Sequence, residues 1–108
     1  MSCFIMRTNL LKIDKGIIHK YRTYVKGNET KSILEIRKLL TRNFILGEEI
    51  WTDNVENIQA RMFGNLKIIV DMENYQIKNI YNNLGKNKRI YINQLEKENL
   101  NKVLEIAA

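Results

Sequence analysis

Hydrophobic and polar positions change their period along this chain, and the change marks its organisation. From Glu56 to Asn83 the apolar residues fall in short blocks separated by turn formers, Phe63-Gly64-Asn65 and Glu73-Asn74. Between the turns, Leu66-Lys67-Ile68-Ile69-Val70 is rich in β-branched residues and too short to stand as a helix. The pattern predicts a meander of three short strands. Its last strand alternates, with Tyr75, Ile77, Asn79 and Tyr81 on one side and Gln76, Lys78, Ile80 and Asn82 on the other. A meander is not stable with both faces bare, so the rest of the chain is expected to cover one of them.

Upstream the period lengthens. Asp14 is placed to cap a helix in which Ile17, Ile18, Tyr21, Tyr24 and Val25 form an apolar stripe, with Gly27-Asn28 as its stop. His19, Lys20, Arg22, Thr23 and Lys26 fall opposite. Ile17, His19, Tyr21, Thr23 and Val25 also alternate, so residues 15–26 fit a strand as well; the stripe favours the helix. Thr30 is placed to cap a second helix, Lys31 to Arg42, with a stripe of Ile33, Leu34, Ile36, Leu39 and Leu40. Phe44-Ile45-Leu46 and Gly47 then turn the chain into a strand at Glu49–Thr52, closed by Asp53-Asn54. Residues 3–13 read as a lead-in strand or irregular segment. After Leu84-Gly85, Ile90-Tyr91-Ile92 offers an edge strand that could also pair across a homodimer. Asn93, with Glu96 three residues on, caps a last helix whose stripe is Leu100, Val103, Leu104 and Ala107.

The order predicts an α+β fold: two N-terminal helices packed on a four- to five-stranded antiparallel sheet, with a C-terminal helix. At 108 residues it is a single domain, with a lead-in at 1–13, helices over 14–43, the meander over 49–92 and a helix over 93–107. No apolar run approaches the roughly 18 residues that span a bilayer. The opening Met1–Met6 lacks the charged start of a secretory signal, and Met6 is a second possible start. Cys3 is the only cysteine, which excludes an intrachain disulfide and a Cys-based zinc site. Together these point to a cytoplasmic protein with no membrane partner.

Charge alters this picture in one respect. The net charge is +6, and it is uneven: residues 1–47 carry ten Lys/Arg against three Asp/Glu, whereas residues 48–85 carry three against six. That balance favours RNA or another polyanion as partner. A solvated helix face, or the lysine excess that accompanies a chain rich in Ile and Asn, accounts for the same numbers.

The usual catalytic signatures are absent. There is no glycine-rich phosphate loop, no nucleophile elbow and only one histidine, and no cofactor or metal is expected. Asp71 and Glu73 flank a turn, where acidic residues are common. What remains is chemistry done by cations and aromatics, of which metal-free RNA cleavage is the leading example. The stretch from Arg61 through Gly64-Asn65-Leu66-Lys67-Ile68-Ile69-Val70 to Asp71, followed by Ile77-Lys78-Asn79-Ile80-Tyr81, resembles the RelE-type toxin domain of the barnase/EndoU/colicin/RelE-like ribonucleases. The resemblance implies catalytic roles for Arg61, Lys67, Tyr81 and His19. It implies RNA contacts from Arg22, Lys78, Lys86, Lys88 and Arg89, and an acidic antitoxin as a possible partner. Two departures stand out: Lys67 falls where Arg is more usual, and the basic tail is only Lys86, Lys88 and Arg89. Read from their own surroundings, Arg61, Lys67 and Lys78 are equally the solvent-facing members of alternating strands. Tyr81 is equally a core-edge aromatic, His19 a polar-face residue, and Trp51 and Tyr91 packing residues. The second functional reading is a non-catalytic phage or mobile-element protein that binds and inhibits a host or defence protein or nucleic-acid complex. The ribonuclease reading requires Arg61 and Lys67 on one sheet face, which depends on turn geometry.

Overall fold

The computed structural model describes residues 9–25, 27, 30–82 and 93–106. Two helices, α1 (Lys15–Tyr24) and α2 (Ile33–Leu46), precede four strands: β1 (Glu48–Asp53), β2 (Ile58–Phe63), β3 (Leu66–Asp71) and β4 (Gln76–Asn82). A C-terminal helix, α3 (Gln94–Val103), follows. The strands pair antiparallel in sequence order, as a meander should. Cys3, Lys26, the basic residues Lys86, Lys88 and Arg89, and the edge strand expected at Ile90–Ile92 lie outside the described residues.

Local signals set the helix ends. The Asp14 carboxylate accepts from the Ile17 N–H at 2.9 Å, the N-cap expected of it. Residues 15–24 are therefore helix, not strand. The α2 start differs from expectation: Ser32 is the cap, not Thr30. Ser32 Oγ accepts from the Glu35 N–H at 3.1 Å, and the Ser32 N–H donates to Glu35 Oε1 at 2.8 Å. This reciprocal pair satisfies two otherwise orphaned donors, which Thr30 has no partner to do. The helix also continues through Phe44-Ile45-Leu46 to Gly47, so its buried side shifts toward its C-terminal half. Ile36, Leu40 and Phe44 are in the core, while Ile33 and Leu34, expected there, are about half exposed at 54% and 50%.

The core lies between the helices and one sheet face. Leu11, Ile17, Ile18, Tyr21, Ile36, Leu40 and Phe44 pack against Leu66, Ile68, Val70, Ile77 and Ile80. Residues before α1 close one side. The Lys12 carbonyl accepts from the Ile77 N–H at 2.9 Å, and the Lys12 N–H donates to the Tyr75 carbonyl at 3.0 Å, a single parallel bridge beside β4. Buried Thr41 accepts from the Leu11 N–H at 2.9 Å, which ties this lead-in to α2.

Strict alternation fails in β4. Asn79 pairs with Ile69 and Ile77 with Val70, which leaves Lys78 as an extra, unpaired residue. This β-bulge resets the parity, so Ile77 and Ile80 both face the helices and Asn79 and Tyr81 both face away. A second irregularity at Ile50, between Glu49 and Trp51, does the same in β1.

Candidate nucleic-acid interface

Cross-strand partners share a sheet face, so the register assigns each side chain to one of two sides. The helix side takes Leu66, Ile68, Val70, Ile77 and Ile80. The other side carries Trp51, Ala60, Ile69 and Asn79 in one row and Glu48, Met62, Lys67 and Tyr81 in the next. Among the described residues no helix or strand lies over this outer face: α1 contacts β4, α2 contacts β2, and α3 packs on α2. Ala60 is nevertheless fully buried, enclosed by its larger neighbours, while Trp51 and Tyr81 remain 42% and 41% exposed. The bulges are what let Tyr81 share this side while Ile77 faces the helices, and let Trp51 share it with Glu48.

Tyr81 is the centre of a compact cluster. Lys67, directly across the ladder, holds its ammonium 5.4 Å from the Tyr81 ring centroid. Lys20 reaches from α1 around the β4 edge, placing its ammonium 5.6 Å from the same centroid and donating to Asn79 Oδ1. The Asn79 amide donates in turn to the Tyr81 hydroxyl at 2.8 Å, which fixes the ring. Both cations lie within the range of favourable attraction to an aromatic face. Neither meets a carboxylate among the described residues.

Charge is spread unevenly along the strands. The cluster lies toward the β2–β3 turn. At the opposite end, the β1–β2 and β3–β4 turns carry Asp53, Glu56, Asp71 and Glu73. Exposed Glu48 lies on the cluster's own row across the sheet on β1, and Lys78 lies near Asp71, so the cationic surface is confined to the β3–β4 side around Tyr81.

The expected site residues are not all brought together. Arg61 pairs with Ile68 and so lies on the helix side, opposite Lys67, which pairs with Met62. Its Nη1 donates to the Phe44 and Ile45 carbonyls at 3.0 and 3.2 Å, its Nε to Gln59 Oε1 at 2.6 Å, and its guanidinium stacks 4.5 Å over the Phe44 ring. The arginine is committed to the carboxyl end of α2, whose carbonyls and dipole favour a cation. His19 is exposed and shares a surface groove with Arg22, Lys15, Ile18 and Ile33. Arg22 donates from Nη2 to the Lys31 carbonyl at 2.8 Å, while its Nε has no partner. No contact joins this groove to Tyr81 among the described residues. Lys78 is exposed at the bulge, near Asp71.

Lys67 and Tyr81 therefore share a surface; Arg61 and His19 do not join it. Lys20 and Asn79 do, although pattern alone gave them no role. Trp51, expected to be a packing residue, is half exposed on the same face. The signal for Lys20 was its place on α1 at the level of β4, which becomes readable only once the two are packed together.

No helix among the described residues is long and apolar enough to cross a membrane. No curated protein and no solved structure matches the chain. One family model does: YorE, a phage-type family of unknown function, which matches residues 11–103 and so takes in both N-terminal helices, the sheet and α3. The chain belongs to the YorE family.

Proposed function

We propose that the chain is a phage-associated protein that binds single-stranded RNA on its open sheet face. The observation that carries the reading is the Lys20–Lys67–Tyr81 cluster: two ammonium groups without carboxylate partners among the described residues flank one exposed ring. Single strands are held in this way elsewhere, by bases stacked on aromatic side chains while nearby cations follow the backbone. Trp51 supplies a second aromatic surface on the same face, across the sheet on the opposite edge strand. Binding without cleavage is the simpler reading, because Arg61 is engaged with α2 on the far side. RelE-type cleavage on this surface would fall to Lys20, Lys67 and Tyr81 alone.

The test is fluorescence anisotropy with a labelled, unstructured RNA at several salt concentrations, followed by electrophoresis of the same RNA. Wild type is expected to bind with affinity that falls as salt rises. Replacing Lys20 and Lys67 together by Ala is expected to flatten that slope by about 0.7 per lysine lost. Tyr81→Ala is expected to weaken binding by roughly 1–3 kcal/mol. Recovery of intact RNA supports binding alone; RNA cut by wild type but not by Tyr81→Phe would support the ribonuclease reading instead. Affinity unaffected by all these changes would remove the outer face from consideration.

A further inference from the structure

Another cation without a carboxylate partner among the described residues is buried. Arg42 on α2 is only 9% exposed. Its Nε and Nη2 both donate to Asn43 Oδ1, at 3.1 and 2.9 Å, and its Nη1 donates to Asn101 Oδ1 at 2.9 Å. Its guanidinium lies 5.8 Å from the Phe63 ring centroid. Among the described residues every acceptor it meets is a neutral amide oxygen, and no carboxylate reaches it. Three of its five N–H groups are used, which leaves one on each terminal nitrogen.

This guanidinium lines an open pocket of about 580 Å³ between α1, α2 and the β2–β3 turn. The volume lies in the range that holds a small organic ligand. Tyr21, Tyr24 and Phe63 provide aromatic walls, Lys31 adds a second basic residue, and Asn65 adds a side-chain amide. Burial pushes the Tyr21 phenol up, with Arg42 opposing the shift, so the hydroxyl stays a proton donor at neutral pH. A buried, uncompensated arginine is a destabilising arrangement unless something negative joins it. Its planar fork with free N–H groups suits the oxygens of a phosphate. Flat apolar walls with an amide at hand suit a base ring.

We propose that this pocket binds a nucleoside monophosphate, its phosphate on Arg42 and Lys31 and its base against Tyr21, Tyr24 and Phe63. The site is separate from the outer sheet face and does not depend on RNA binding there. Calorimetric titration of the full chain with AMP, GMP, CMP and UMP in turn tests it, with the matching nucleoside and inorganic phosphate as controls. At least one nucleotide is expected to saturate, with nucleoside and phosphate each tenfold or more weaker. Arg42→Lys keeps the charge but loses the fork, and is expected to weaken nucleotide binding at least tenfold. Should that variant fail to fold, Lys31→Ala combined with Asn65→Ala, at the pocket's more accessible positions, is expected to give a clear loss. Lys67→Ala is expected to leave nucleotide affinity unchanged, which separates this site from the RNA surface. No saturable binding by any nucleotide would overturn the assignment. So would phosphate binding as tightly as the best nucleotide, or binding indifferent to both sets of pocket substitutions.

Discussion

Arg61 donates to the last carbonyls of α2 and stacks on Phe44, so its charge is spent on joining helix to sheet. Arg61→Ala is expected to lower stability by about 1–3 kcal/mol in urea unfolding, through lost hydrogen bonds and lost packing of its stem. RNA affinity measured on the folded fraction should not change, the reverse of the pattern expected for Lys67→Ala. Gly47 beside it shows how tightly this corner is packed. A Cβ there would lie 3.0 Å from the Asn43 carbonyl oxygen, 3.1 Å from Arg61 Cβ and 3.2 Å from the Met62 carbonyl oxygen. Its φ of −68° is ordinary, so space and not backbone freedom requires glycine.

Among the elements, α2 starts on a reciprocal pair of side-chain and backbone hydrogen bonds. Ser32→Ala breaks the capping box and is expected to cost about 1 kcal/mol, with α2 amides losing hydrogen-exchange protection before those of the sheet. The box was readable in Ser32-Ile33-Leu34-Glu35; Thr30 competes with it only if the helix is taken to start where the chain first turns polar. The strands were legible as strands because Gly64, at φ +61°, and the Asp71–Asn74 turn punctuate them plainly. Their faces were not. A bulge leaves no mark in a period-2 pattern, so Tyr75 to Tyr81 reads as unbroken alternation although Ile77 and Ile80 share a side. For the same reason the outward placement of Tyr81 and Trp51 had to come from register. The opposition of Arg61 and Lys67 followed from the two-residue Gly64-Asn65 turn, which pairs Phe63 with Leu66 and so puts residues 61 and 67 out of phase.

At the scale of the molecule, two carboxylates among the described residues contribute to the acid limb of stability. The Asp71 pKa is lowered chiefly by the Asn74 side-chain hydrogen bond, and the Glu35 pKa chiefly by the Ser32 N–H. Each folded pKa lies below its unfolded value, so the stabilisation is present above about pH 4 and is lost as pH falls through the depressed values. Urea midpoints taken from pH 7 down to 3 should fall in that window, and Asp71→Asn with Glu35→Gln should flatten the decline. The Lys20–Lys67 pair sets a second global property: RNA affinity should respond to salt far more than folding does, since these cations lie at the surface whereas the core is apolar.

The spare residue at position 78 carries a consequence for how this architecture can vary in length. Excising Lys78 would leave Val70 opposite Ile77, Ile69 opposite Asn79 and Ile68 opposite Ile80, a ladder now regular throughout. A one-residue gap in mid-strand, which normally turns every later side chain inside out, should here be absorbed with both surfaces intact. The shortened chain is expected to melt cooperatively and keep its RNA affinity, whereas the same excision at Ile69 would exchange lining for exterior and leave no fold to measure.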